Sequence, residues 1–176
     1  MATTHWATDG KLYVDLETTV TSANAANGVG AIHSLGSAVR GNNDSEWHYV
    51  YASAAITQYA VVGVEASGTA SMLTSTIARG ATPVNIAIAQ VAFAAGDYGW
   101  VASGGTALTV LTTAICSAGV KLFTTATAGR VSTAQATAAD AQIAGLVHSV
   151  TTGATASSSP CIAKNLSFQY PTLLTT

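Results

Sequence analysis

From Trp47 onward the side chains alternate with a period of two. Trp47, Tyr49 and Tyr51 fall on one face of an extended segment, and His48, Val50 and Ala52 fall on the other. Further extended runs follow at 56–64, 71–78, 98–102, 108–116, 120–125, 130–133, 143–150 and 161–165. Gly- and Pro-containing stretches punctuate them, at Ala66-Ser-Gly-Thr69, Arg79-Gly-Ala-Thr-Pro83, Gly96-Asp97, Gly104-Gly105 and Ala126-Thr-Ala-Gly129. The last of these predicts a hairpin, with a glycine free to take a left-handed conformation. Residues 84–94 are apolar on both faces, the pattern of a buried strand. Only 132–140 is Ala-rich enough to suggest a short helix. Many short strands at close spacing predict an all-β fold, a small β-barrel or sandwich. No internal sequence repeat is detectable.

The texture before residue 41 is different. Residues 1–40 predict an extended N-terminal arm, and 41–176 the β-barrel domain. In the arm, Leu12, Val14 and Leu16 alternate with polar residues, which predicts one short strand added to a neighbouring sheet. Residues 18–30 are rich in Asn, Gly and Thr without periodicity, the pattern of a loop. Arg40 is expected beside Asp44 or Glu46, in an exposed pair worth at most about 1 kcal/mol.

Composition changes this picture in one respect. Charged residues make up 8% of the 176 residues, against about 25% in average soluble chains. Hydrophobic residues make up 49%, and the mean hydropathy is +0.39. Solubility usually rests on charge, so a surface this neutral predicts an assembly component whose faces are covered by other chains. The net charge is −2, and Lys11, Arg40, Arg79, Lys121, Arg130 and Lys164 are scattered. No basic patch for nucleic acid is therefore expected. No apolar run reaches the roughly 20 residues of a membrane helix, and no secretion signal is expected. Cys116 and Cys161 are far apart and outside any CxxC spacing, which predicts two free thiols made in a reducing cytoplasm.

Candidate chemistry is sparse. His5, His33, His48 and His148 share no ligand spacing with each other or with the cysteines. His148 shares a strand face with Leu146 and Val150, so a hydrogen-bonded core or interface histidine is expected. No serine sits in a sharp GxSxG turn, and no carboxylates are paired for glycosidic work. Gly28-Val-Gly30 lacks the strand and helix that a dinucleotide loop needs. No catalytic, cofactor-binding or metal-binding residue is assigned, and no cofactor is expected. The aromatic residues are more suggestive. Trp47, Tyr49 and Tyr51, with Tyr98 and Trp100, form either a sugar-stacking platform or a packing and subunit-interface cluster, and the second reading is favoured. Trp6, alone in a polar arm, is the expected anchor into a neighbour's pocket.

Five motifs carry a resemblance. They are Leu35-Gly-Ser-Ala-Val-Arg-Gly-Asn-Asn-Asp-Ser-Glu-Trp47, Tyr49-Val-Tyr-Ala-Ser-Ala-Ala-Ile-Thr57, Gln90-Val-Ala-Phe-Ala-Ala-Gly-Asp-Tyr-Gly-Trp100, Leu122-Phe-Thr-Thr-Ala-Thr-Ala-Gly129 and Ile143-Ala-Gly-Leu-Val147. Together they resemble the capsid decoration (cement) proteins of tailed phages over roughly residues 35–165. The resemblance implies a non-enzymatic virion protein, made in the host cytoplasm and placed on the outer surface of the capsid. Its implied partners are the major capsid protein and itself, as a homotrimer, with no role for nucleic acid or membrane. Two alternatives stand beside it: another virion structural protein (head fibre base, tail or baseplate) and a glycan-binding module.

Overall fold

The structure, a computed structural model, describes residues 7, 15–21, 33–113, 116–153 and 158–170. As expected, it is all-β. Eleven strands run in chain order: β1 (Thr19–Val20), β2 (Ala38–Gly41), β3 (Ser45–Ala52), β4 (Val61–Glu65), β5 (Thr69–Met72), β6 (Val84–Ile88), β7 (Tyr98–Leu111), β8 (Leu122–Thr124), β9 (Val131–Ser132), β10 (Gln142–His148) and β11 (Ser158–Gln169). A short helical turn, α1 (Ser75–Ala78), lies between β5 and β6. The sequence pattern extends a strand through these α1 residues. The chain turns there because the Thr74 hydroxyl accepts a bond from the Ile77 N–H at 3.2 Å and caps the turn. Residues 132–140, expected to be helical, form turns between β9 and β10.

Strands β3, β5, β4, β6 and β7 close into a five-stranded barrel, because β3 pairs with both β5 and β7. Only the β3–β5 contact is parallel; the other four are antiparallel. Its interior holds mostly small apolar side chains, including Val50, Ala52, Val62, Ala70, Ala87 and Val101. Small residues suit so narrow a barrel, since five strands leave little room at the axis.

The Gly104-Gly105 pair does not turn the chain as the sequence pattern predicts. Residues 98–111 form a single 14-residue strand that runs straight through it. Gly105 has φ +149°, a value that disfavours a side chain. The register across β3 shifts between Glu46 and Trp47, and across β11 between Cys161 and Ala163. This irregularity exchanges the two faces of β7. Val101 points into the first barrel, whereas Leu108 and Val110 join a second cluster with Leu122, Val131, Ile143 and Cys161.

Beyond that point the first connectivity is repeated. The order runs β7–β11–β10–β8–β9, antiparallel throughout, and returns to β7 by a parallel bridge between Thr112 and Val131. In both circuits the first strand meets the third in parallel, and the fifth lies antiparallel to the first. β7 is the last strand of one circuit and the first of the next. The match extends to single residues. Tyr59 (φ +66°) and Gly119 (φ +70°) are both left-handed, and their N–H groups bond Ala89 O at 2.6 Å and His148 O at 3.0 Å. Gly68 (φ +81°) and Gly129 (φ +73°) occupy matching turns. The second is the hairpin glycine expected from the sequence, and β8 pairs β9 across it.

The described parts of the arm lie against their own barrel. Thr19 and Val20 pair with Gly99 and Tyr98, β2 pairs with β3, and Leu16 is fully buried in the cluster that contains Trp47. Of the strand expected at 11–17, residues 11–14 lie outside the described residues, and Leu16 and Glu17 form a turn.

Candidate functional site

The expected aromatic cluster forms, and its setting follows from the β3–β7 register. Tyr49 stands opposite Trp100 and Tyr51 opposite Tyr98, so period two places all five rings on one face. Tyr49 and Trp100 meet edge to face at 5.1 Å; Tyr51 and Tyr98 lie 5.1 Å apart. His33 closes over Tyr49 at 5.2 Å and Trp100 at 5.0 Å. Trp47 Nε1 donates to Ser45 Oγ at 2.8 Å. A Cβ on Gly41 would stand 2.9 Å from Leu16 Cδ1 and 3.0 Å from Trp47 Nε1, so glycine allows this close cover.

The cover determines what the rings do. Trp47, Tyr49 and Trp100 are 0–2% exposed, inside the chain's own core, and only Tyr51 and Tyr98 remain half-buried. A ring with no open face cannot stack on a sugar, so packing is the use this geometry supports. Trp6 lies outside the described residues.

A cleft of about 460 Å³ opens where β7 passes between the two circuits. Its polar lining includes Asp44, Glu46, His48, Ser103, Lys164 and Asn165, with no aromatic ring. Asp44 pairs with Lys164 at 3.2 Å, but the side chains are 75% and 61% exposed, so solvent screens the pair. Arg40 stands across from Glu46 in the β2–β3 register.

A buried polar network joins α1 to the loop before β10. Asp140 Oδ1 accepts from Ser75 Oγ at 2.5 Å, and Oδ2 accepts from the Thr137 N–H at 2.8 Å. Thr124 Oγ1 donates to Ser75 Oγ at 3.3 Å and accepts from the Ala141 N–H at 2.9 Å. Arg79 reaches the Ala138 and Ala139 carbonyls from outside. Here the serine donates directly to the carboxylate, with no imidazole between them, so the pair ties two segments together rather than activating a nucleophile. Burial pushes the Asp140 carboxyl up, but the bonds from Ser75, Thr137 and Ala136 outweigh it and leave the group below its ordinary 3.8. A depressed carboxylate gives stability that is present above its ordinary value and lost as pH falls through the lowered one. Asp140→Asn should therefore cost about 1–3 kcal/mol at pH 7. The gap to the parent should narrow below pH 3.8 in acid-denaturation curves.

His148 departs from expectation. It is 1% exposed with Leu146 beside it, while Val150 is 46% exposed. Neither ring nitrogen has a hydrogen-bond partner. Across the ladder lies Cys161, whose thiol is pushed up to about 12 by burial. Both cysteines are free and buried. Among the described residues, no three His, Cys, Asp or Glu side chains are placed to hold a metal ion, and no helix is long and apolar enough to cross a membrane.

Sequence reasoning missed the Ser75–Asp140 tie and Gln90, which joins the two circuits. The signal for Gln90 was an amide standing alone inside the apolar 84–94 run. A scan against protein-family models and a search of curated proteins return no match to this chain.

Proposed function

We propose that this protein is a structural component of a tailed-phage virion. On this reading it decorates the outer surface of the capsid, associates with itself as a trimer and bridges major capsid subunits. The observation that carries the proposal is the neutrality of the chain, 8% charged, joined to a described surface that still exposes Leu35, Val120, Val147, Val150, Ile162 and Tyr170. A protein with so little charge needs its faces covered, and a shell of many copies covers them. The motifs that resemble decoration proteins support the same reading. They fall on the β2–β3 turn, the β6–β7 connection, the β8 hairpin and β10, all parts that build the two circuits. Several modest contacts per trimer would hold it by avidity.

The glycan-binding alternative loses its platform, because Trp100 is buried and the open cleft has no ring. The test is co-sedimentation with expanded, undecorated shells, at saturating protein and physiological salt. Binding of copies over the whole head is the expected result, and no co-sedimentation would overturn the proposal. Trp6→Ala tests the arm better than deleting 1–34, since that deletion also strips Leu16, β1 and His33 from the barrel. A Trp6 variant that folds and binds shells as tightly as the parent would remove the anchoring role.

A further inference from the structure

The two circuits provide an internal comparison. In the first, Ile56, Ala89, Phe93 and Val101 form part of an apolar interior. The ladder and loop bonds place Cys116, His148, Thr152 and Cys161 at the corresponding positions of the second. Ile56 exchanges backbone bonds with Phe93 at 3.0 and 2.9 Å, and Cys116 O accepts from the Thr152 N–H at 2.9 Å. Val101 faces His48 across β3, and Cys161 faces Leu108 across β7. One interior is hydrocarbon, and the other contains an imidazole with both nitrogens unbonded. Ser159 Oγ, two residues from Cys161 on the same face of β11, is also buried and unbonded.

A neutral imidazole is tolerable in such a place. An imidazolium is not, because a charge without water or a counter-ion costs several kcal/mol. The neighbouring elements offer little relief. β11 presents Cys161, and the segment after residue 115 presents Cys116, each a thiol rather than a carboxylate. β7 presents Leu108 and Val110, and β8 Leu122 and Thr124. Lys121 is exposed, and Lys164 is tied to Asp44 outside. Asp140, at the far end of β10, is bonded to Ser75 and Thr137. No acid bonds the ring.

We propose that His148 is an acid trigger: its protonation opens the second circuit while the first stays closed. The first circuit holds Ala89 at the matching position, so it gains no charge there. β7 remains held by β3 when its other half is released. The inference does not depend on the shell-binding role. Burial holds the imidazole below its ordinary 6.5. Its contribution to stability is thus complete above pH 6.5 and lost as pH falls below it.

Hydrogen exchange on the full chain at pH 7 and at about pH 5, corrected for the intrinsic exchange rate, tests this. Below the ordinary value, opening of β10 and β11 should rise by up to about tenfold per pH unit, while β4 and β6 hold. His148→Ala, which copies the first circuit, and the neutral His148→Gln should both abolish the difference. An equal acid response in these variants, or both circuits opening together in the parent, would overturn the proposal. If neither variant folds, proton NMR of the parent decides: a His148 titration midpoint at or above 6.5 overturns it. A midpoint below that value, with selective opening, supports it.

Discussion

Trp47→Ala is expected to lower the unfolding free energy by about 3–5 kcal/mol, the range for removing a large aromatic side chain from a packed core. Trp47 is 0% exposed. The indole is lined by Leu16 and Gly41 and held by its bond to Ser45. Truncation leaves a void that Gly41, having no side chain, cannot fill. It also loosens Leu16, through which the arm is packed on the barrel. Domains of this size are stable by about 5–15 kcal/mol, so the loss should be visible as a large shift in the urea midpoint. Trp47→Phe keeps most of the buried area and loses the N–H donor, and it should cost about 1 kcal/mol or slightly more. An unchanged midpoint in Trp47→Ala, with assembly lost, would return the side chain to the subunit-interface role.

Gln90→Glu should be nearly as damaging, for a different reason. Gln90 is 4% exposed, and its amide imitates a strand beside β7. Nε2 donates to Thr109 O at 3.0 Å, Oε1 accepts from the Thr109 N–H at 3.0 Å, and the Gln90 carbonyl accepts from Gln58 at 3.0 Å. In the first circuit the matching residue, Tyr49, meets real backbone, from Gly36 and Ser37. An ionised glutamate keeps the acceptor, loses the donor and brings a charge against a carbonyl. The unpaired carbonyl alone costs about 1–3 kcal/mol, and the buried charge adds to it. Protonation restores an O–H donor, so the deficit should shrink as pH falls toward 5, the opposite sense to the His148 response. A deficit in urea unfolding that is constant between pH 5 and 8 would refute this account of the junction.

Much of the first circuit was legible because its signals are local. The alternation at 47–52 fixed β3, and the tyrosine and tryptophan of 98–100 matched it across the ladder. The glycine of the 126–129 turn marked the β8–β9 hairpin through the one conformation that glycine favours. The duplicated circuit was not legible. Ile56 and Cys116, Ala89 and His148, and Val101 and Cys161 share positions without sharing chemistry. What matches between them is backbone: a left-handed residue, a loop bond, a parallel return. Different side chains satisfy these equally well, as Tyr59 and Gly119 do.

The chain's own pattern determined that it would be all-β, neutral at its surface and rich in aromatic contacts around residues 47–51. Alternation, turn formers and charge are properties of neighbouring residues, and they act before any fold exists. Only the tertiary structure decided that Trp47, Tyr49 and Trp100 are covered by the arm, since cover comes from Leu16 and His33, distant in sequence. It also decided that Gly104-Gly105 carries a strand across two barrels instead of turning it. A glycine permits both outcomes, and the strands waiting on either side of β7 select one.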